Sequence, residues 1–169
     1  SLVGSEMCIR DSIKTRMLLS IHDEEALSEV ERHEAGPAME MCARSVILSA
    51  GLVSLMADDN YNCALAHAVC YGLQHFEHVE REYLHGDLVA YGALVQLAVD
   101  GQLDKARELR AFLVSLGTPV TLAQMHVPLE KAALHDALIE ATTGPDMAHI
   151  PYPVTQDMVF DAMQRVETL

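Results

Sequence analysis

A chain of 169 residues, half of them apolar and about a fifth charged, is long enough to bury one substantial core and too short for two ordinary ones. Its formal charge of −14, with 11 Lys and Arg scattered among 25 Asp and Glu, argues against a nucleic-acid or anionic-membrane partner, because phosphates are met by clustered basic side chains. No run approaches the roughly 18 uncharged apolar residues of a membrane span, and Cys8, Cys42, Cys63 and Cys70 form no CxxC pair or secreted-protein framework, which fits reduced thiols in the cytoplasm.

Residues 1–12, "SLVGSEMCIRDS", carry neither a helical nor a strand period and lack the apolar stretch of a signal peptide. The codons CTC GTG GGC TCG GAG ATG TGT ATA AGA GAC spell Leu2 to Asp11 in order, and that DNA resembles a transposase adapter of sequencing libraries. The segment reads as an adapter-derived scar, which leaves residues 13–169 as one helical domain cut at its N-terminus.

From Ile13 onward the pattern is helical. "HDEEALSEVERH" offers Asp23 as N-cap with acidic residues in the first turn, and predicts an exposed helix. "GPAMEMCARSVILSAGLVSLMA" places Pro37 in a first turn and becomes apolar nearly all round, which predicts burial on several sides. Asp58 to Asn60 make a turn or cap. A buried helix follows over about 61–75, then a polar loop holding His75 and His78, then a second buried helix over about 86–99, ended by Asp100 and Gly101. "LDKARELRAFLVSLG" is amphipathic, with Gly117 as C-terminal cap and Pro119 beyond it. "PLEKAALHDALIEATTG" and "TQDMVFDAMQRVETL", the latter with Thr155 as N-cap, predict two closing helices. No segment alternates as a half-buried strand would, so the fold class is all-α. No GxGxxG, P-loop or GxSxG pattern is present.

The histidines carry the chemistry. His67 stands among residues that otherwise form an apolar helix face, where an imidazole needs a partner; a metal and a backbone carbonyl both meet that need. His85 opens the next helix beside Gly86, and 18 residues suffice to finish one helix, cross a loop and return. His75 and His78 flank the glutamate-rich "FEHVEREY" and read as solvated loop residues. Cys63, His67 and Cys70 share a helix face at i, i+4 and i+7 and offer a soft S/N site, although small cysteines are ordinary core packing. Met39, Met41 and Met56 read as core filler, and Asp58 and Asp59 as a cap.

Three segments, "CALAHAVCYGL", "YLHGDLVAYGALVQL" and "LGTPVTLAQMHV", resemble in order and interval the helical C-terminal domain of the iron-containing alcohol dehydrogenase superfamily, on its glycerol dehydrogenase-like branch. The pattern there is "AHA(V/I)xNGL", "HGExVAxGxLxQL" and "GLPxTLAxL", and the resemblance runs from about Ala38 to Leu169. The closing "HIPYPVTQDMVFDAMQRVE" is similar to relatives that reduce 2-oxo acids. The resemblance implies a homo-oligomeric parent enzyme with an N-terminal Rossmann-like domain that binds NAD(P) and a divalent metal, zinc or iron, held in part by His67 and His85. It implies a small-molecule substrate, a polyol or alternatively a 2-hydroxy acid. The family's third ligand, an aspartate in a "GxGDxxAKxxE" segment, has no counterpart here, nor has its glycine-rich loop, so the chain by itself is expected to be inactive. Cys70 and Tyr71 replace the family's residues in "xNGL". A 2-hydroxy acid would call for a cationic anchor, for which Arg44, Arg81 and Lys105 are available. The contrasting reading is a non-catalytic helical interaction module in which both histidines are packed or capped.

Overall fold

The computed structural model describes residues 63–148 and 150–169 and, ahead of them, 25, 28, 29, 31–44 and 48. The chain divides into two compact units, Ser1–Asn62 and Cys63–Leu169. Among the described residues there are helices and turns and no strand, in agreement with the all-α expectation. Residues 1–12, Asp23, Met56, Asp58 and Asp59 lie outside the described residues.

In the first unit, α1 spans Pro37–Arg44, with Pro37 in its first turn as the sequence predicts. Glu29 occupies the helix that was expected to be exposed, yet it is only 4% accessible. Its carboxylate accepts from the backbone N–H of Met39 (2.7 Å) and Ala38 (3.4 Å). A buried carboxylate is tolerated because the free amides at the start of α1 satisfy it. Leu48, expected to be buried, is 58% exposed.

The second unit holds α2 (Leu65–Leu73), α3 (Glu77–Glu82), α4 (His85–Val99), α5 (Leu103–Ser115), α6 (His135–Thr143) and α7 (Gln156–Glu167). Leu65, Val69, Leu73, Leu88, Tyr91, Leu94, Val95, Leu138, Val159 and Met163 form one core. α4 is apolar nearly all round and lies centrally, packed against α2, α5 and α7. α7 buries Val159, Ala162, Met163 and Val166, the i, i+3, i+4, i+7 stripe of a helix with one face in the core. Thr155 Oγ1 caps it by accepting from Met158 N–H at 3.2 Å.

Two glycines set how closely α2 approaches its neighbours. A Cβ on Gly92 would overlap the Ala66 carbonyl oxygen and lie 2.8 Å from its carbonyl carbon, and a Cβ on Gly72 would lie 2.5 Å from Ala137 O. Both helix pairs are therefore in backbone contact. The approach is also polar, since the Gln96 side chain of α4 accepts from Ala66 N–H at 3.1 Å at the start of α2. α4 and α5 close on Gly101 and Gly117, with φ of +71° and +74°; Gln102 N–H reaches Leu97 O and Thr118 N–H reaches Leu113 O, the pairing that satisfies helix-end carbonyls past a left-handed residue.

Two local expectations need correction. "EHVERE" is the helix α3 rather than a loop: Val79 is fully buried and anchors it, so one apolar side chain reaching the core decides the conformation of a polar stretch. The helix expected from Pro128 begins only at His135, with turns over 131–134. The buried Val127 and Leu134 pin this segment to the core at both ends, and Leu134 at the cap has ψ near 7°.

Candidate metal centre

His67 lies in the first turn of α2 and His85 is the first residue of α4. The close approach at Gly92 and Ala66 holds these helices together, and it brings the two imidazole rings to a centroid distance of 5.7 Å. With metal–nitrogen bonds of about 2.0–2.1 Å, two imidazoles on one tetrahedral ion have centroids about 5 Å apart, so the pair is placed within a small adjustment of a shared ion. His67 is half-buried and His85 is exposed. The first is therefore at the edge of the core rather than inside it.

Tyr71, one helical turn after His67, completes a triangle of rings, 6.4 Å from His67 and 6.0 Å from His85. Burial, with Cys63, Asp146 and Cys70 nearby, pushes its phenol above the ordinary value, so it stays protonated near neutral pH. Sequence reasoning did not place Tyr71 in the site, although its i+4 offset from His67 is the signal that finds it.

The proposed soft site of Cys63, His67 and Cys70 is not assembled. Cys63 is hydrogen-bonded to the Asp146 side chain, and burial followed by that carboxylate raises its pKa. Cys70 is buried against His85, its Sγ 3.5 Å from His85 Nδ1, and burial pushes its thiol up to about 11. Cys63 is thus engaged by Asp146 and Cys70 by His85, and the two sulfurs do not share a site with His67. Among the described residues no group of three His, Cys, Asp or Glu side chains is arranged to hold an ion.

His75 is exposed, in keeping with its reading as a solvated residue. His78 is not the solvated loop residue the sequence suggested: its Nε2–H donates to the Met125 carbonyl at 3.1 Å, and Tyr83 O–H donates to Gln124 O at 2.9 Å. These bonds tie α3 to the 117–127 segment. The Gln124 side chain accepts from Val120 N–H at 2.7 Å, and the carboxylate of Glu167 from Leu122 N–H at 2.6 Å. The three candidate cationic anchors are engaged at the surface: Arg44 with Glu40 (2.5 Å), Arg81 with Glu82 (3.8 Å) and Lys105 with Gln102 (2.7 Å).

No protein-family model matches the chain. Hydroxycarboxylate dehydrogenase A of Escherichia coli (strain K12) is 31% identical over 162 residues, which is 95% of this chain and 44% of that protein. Glycerol dehydrogenase of Thermotoga maritima is 30% identical over 147 residues, 84% of this chain and 38% of that protein. Glycolaldehyde reductase of Halobacterium salinarum is 29% identical over 145 residues, with the same two shares. The chain belongs to the iron-containing alcohol dehydrogenase superfamily. It spans less than half the length of these superfamily members, and the helices and turns of its described residues agree with the helical domain that its three motifs resemble. No helix among the described residues is long and apolar enough to cross a membrane.

Proposed function

We propose that this chain supplies His67 and His85 as two ligands of a divalent metal, zinc or iron(II), in an NAD(P)-dependent alcohol dehydrogenase that moves hydride between a small polyol and nicotinamide. The observation that carries the reading is the meeting of two imidazoles from separate helices at 5.7 Å. Relatives named glycerol dehydrogenase and glycolaldehyde reductase support the substrate class. Neutral imidazole suits zinc and iron(II), and a bound ion of this kind acts as a Lewis acid on the substrate oxygen.

The chain's own residues position that chemistry. α2 and α4 fix the two rings relative to each other, and Tyr71 walls one side of the pair. The remaining ligands and the NAD(P) site are assigned to parts of the protein outside the described residues, since the sequence holds no glycine-rich phosphate loop.

A 2-hydroxy acid is the second reading, favoured by the relative named hydroxycarboxylate dehydrogenase A, which aligns with 95% of the chain. The test uses the full-length protein. Purified enzyme should reduce NAD(P)+ with glycerol or propane-1,2-diol, and His67→Ala or His85→Ala should lose bound metal and turnover together. A variant that keeps both removes that histidine from the site. Faster turnover with 2-oxo acids than with any diol or its carbonyl product selects the second reading, and no turnover with either class leaves the non-catalytic module.

A further inference from the structure

Cys70 stands at one side of His85 with two contacts to it. Sγ lies 3.5 Å from His85 Nδ1 and 3.9 Å from the His85 backbone carbonyl oxygen. A thiol has a single hydrogen. The carbonyl oxygen can only accept, and with the S–H given to it the sulfur faces Nδ1 as an acceptor. An acceptor there selects the imidazole tautomer with hydrogen on Nδ1, which leaves the lone pair on Nε2. Cys70 is fully buried and Leu65, Val69 and Leu73 of the same helix are locked in the core, so the sulfur is held in place by packing.

We propose that Cys70 is a positioning residue that orients His85 and fixes its tautomer, so that Nε2 is the atom presented to a metal. The inference rests on the reading of His67 and His85 as ligands. Histidine ligands commonly donate their second ring N–H to a carboxylate, carbonyl or water, and loss of that partner costs about 10–100-fold in metal affinity. Here a neutral thiol takes that place, and it couples the orientation of a residue at the start of α4 to the packing of α2.

The test is made on the full-length protein. 15N-histidine NMR of the metal-free wild type should show His85 with a protonated Nδ1 and an unprotonated Nε2; a proton on Nε2 overturns the proposal whatever the variants do. Zinc affinity, measured by competition with a chromophoric chelator, should fall about 10–100-fold in Cys70→Val, which keeps the bulk and loses the polar contacts. It should return to near the wild-type value in Cys70→Ser, which keeps one hydrogen and the lone pairs. Wild-type affinity in a folded Cys70→Val protein also overturns the proposal. His85→Ala in the same titration separates the two levels. Unchanged zinc binding there refutes the metal site as a whole, and the proposal with it, whereas lost binding there beside intact binding in Cys70→Val refutes the role of Cys70 alone.

Discussion

Gly92→Ala tests whether the backbone contact between α2 and α4 is what brings the histidines together. The added methyl carbon would overlap Ala66 O and lie 2.8 Å from the Ala66 carbonyl carbon, where carbon atoms ordinarily rest about 3.5–4.0 Å apart. α2 must then retreat by at least ~0.7 Å at the residue next to His67. Overpacking of this kind costs about 1–3 kcal/mol, with the upper end expected because the obstacle is backbone rather than a side chain that can rotate. Alanine recovers about 1 kcal/mol of helix propensity. A net loss of about 2 kcal/mol lowers the melting temperature of the full-length protein by a few degrees, less than the about 4–8 °C it would cost a domain of about 150–250 residues. The 5.7 Å ring spacing opens by a similar ~0.7 Å, which about doubles its excess over the about 5 Å of two imidazoles on one ion. Zinc affinity should therefore fall as well. Thermal melts by circular dichroism and chelator competition on the full-length protein read both effects. Gly86→Ala is the stability control, because nothing lies within 4 Å of its added carbon, and it should stay within about 0.5 kcal/mol of wild type. A Gly92→Ala protein with wild-type melting temperature and wild-type zinc affinity would falsify the argument.

The other predictions probe parts of the same core. Tyr91 is fully buried in α4 and its hydroxyl has no hydrogen-bond partner among the described residues, so Tyr91→Phe should keep stability or raise it by up to about 1 kcal/mol in a urea melt; a loss above that value shows that the hydroxyl has a partner. Burial, with Glu167 nearby, holds the Tyr91 phenol well above its ordinary value. The unfolded chain therefore loses this proton first as pH rises past about 10, and stability should fall there by up to about 1.4 kcal/mol per pH unit from this group; Tyr91→Phe should remove that component, and an unchanged alkaline slope contradicts the assignment. Thr155→Ala deletes the cap on Met158 N–H and should cost about 1 kcal/mol, read by chemical denaturation. Glu29→Ala removes the acceptor for Ala38 and Met39 N–H; faster amide exchange at those two positions is expected, and unchanged protection excludes the cap.

The sequence by itself determined what depends on near neighbours along the chain. Apolar spacing located the buried helices α2 and α4, Thr155 and Gly117 marked a start and a stop, and the order of the motifs placed the chain beside the iron-containing alcohol dehydrogenases. It singled out His67 and His85 without deciding between a ligand and a satisfied core residue. The tertiary structure decided that the two rings meet, that Tyr71 and Cys70 stand with them, and that Cys63 turns to Asp146 instead. It also made a helix of "EHVERE", delayed α6 to His135 and buried Glu29. Helix propensities and caps act across about four residues, so they are legible in a window of sequence. The meeting of residues 67 and 85 depends on Gly92 admitting the Ala66 backbone, and no local pattern shows which backbone a glycine receives.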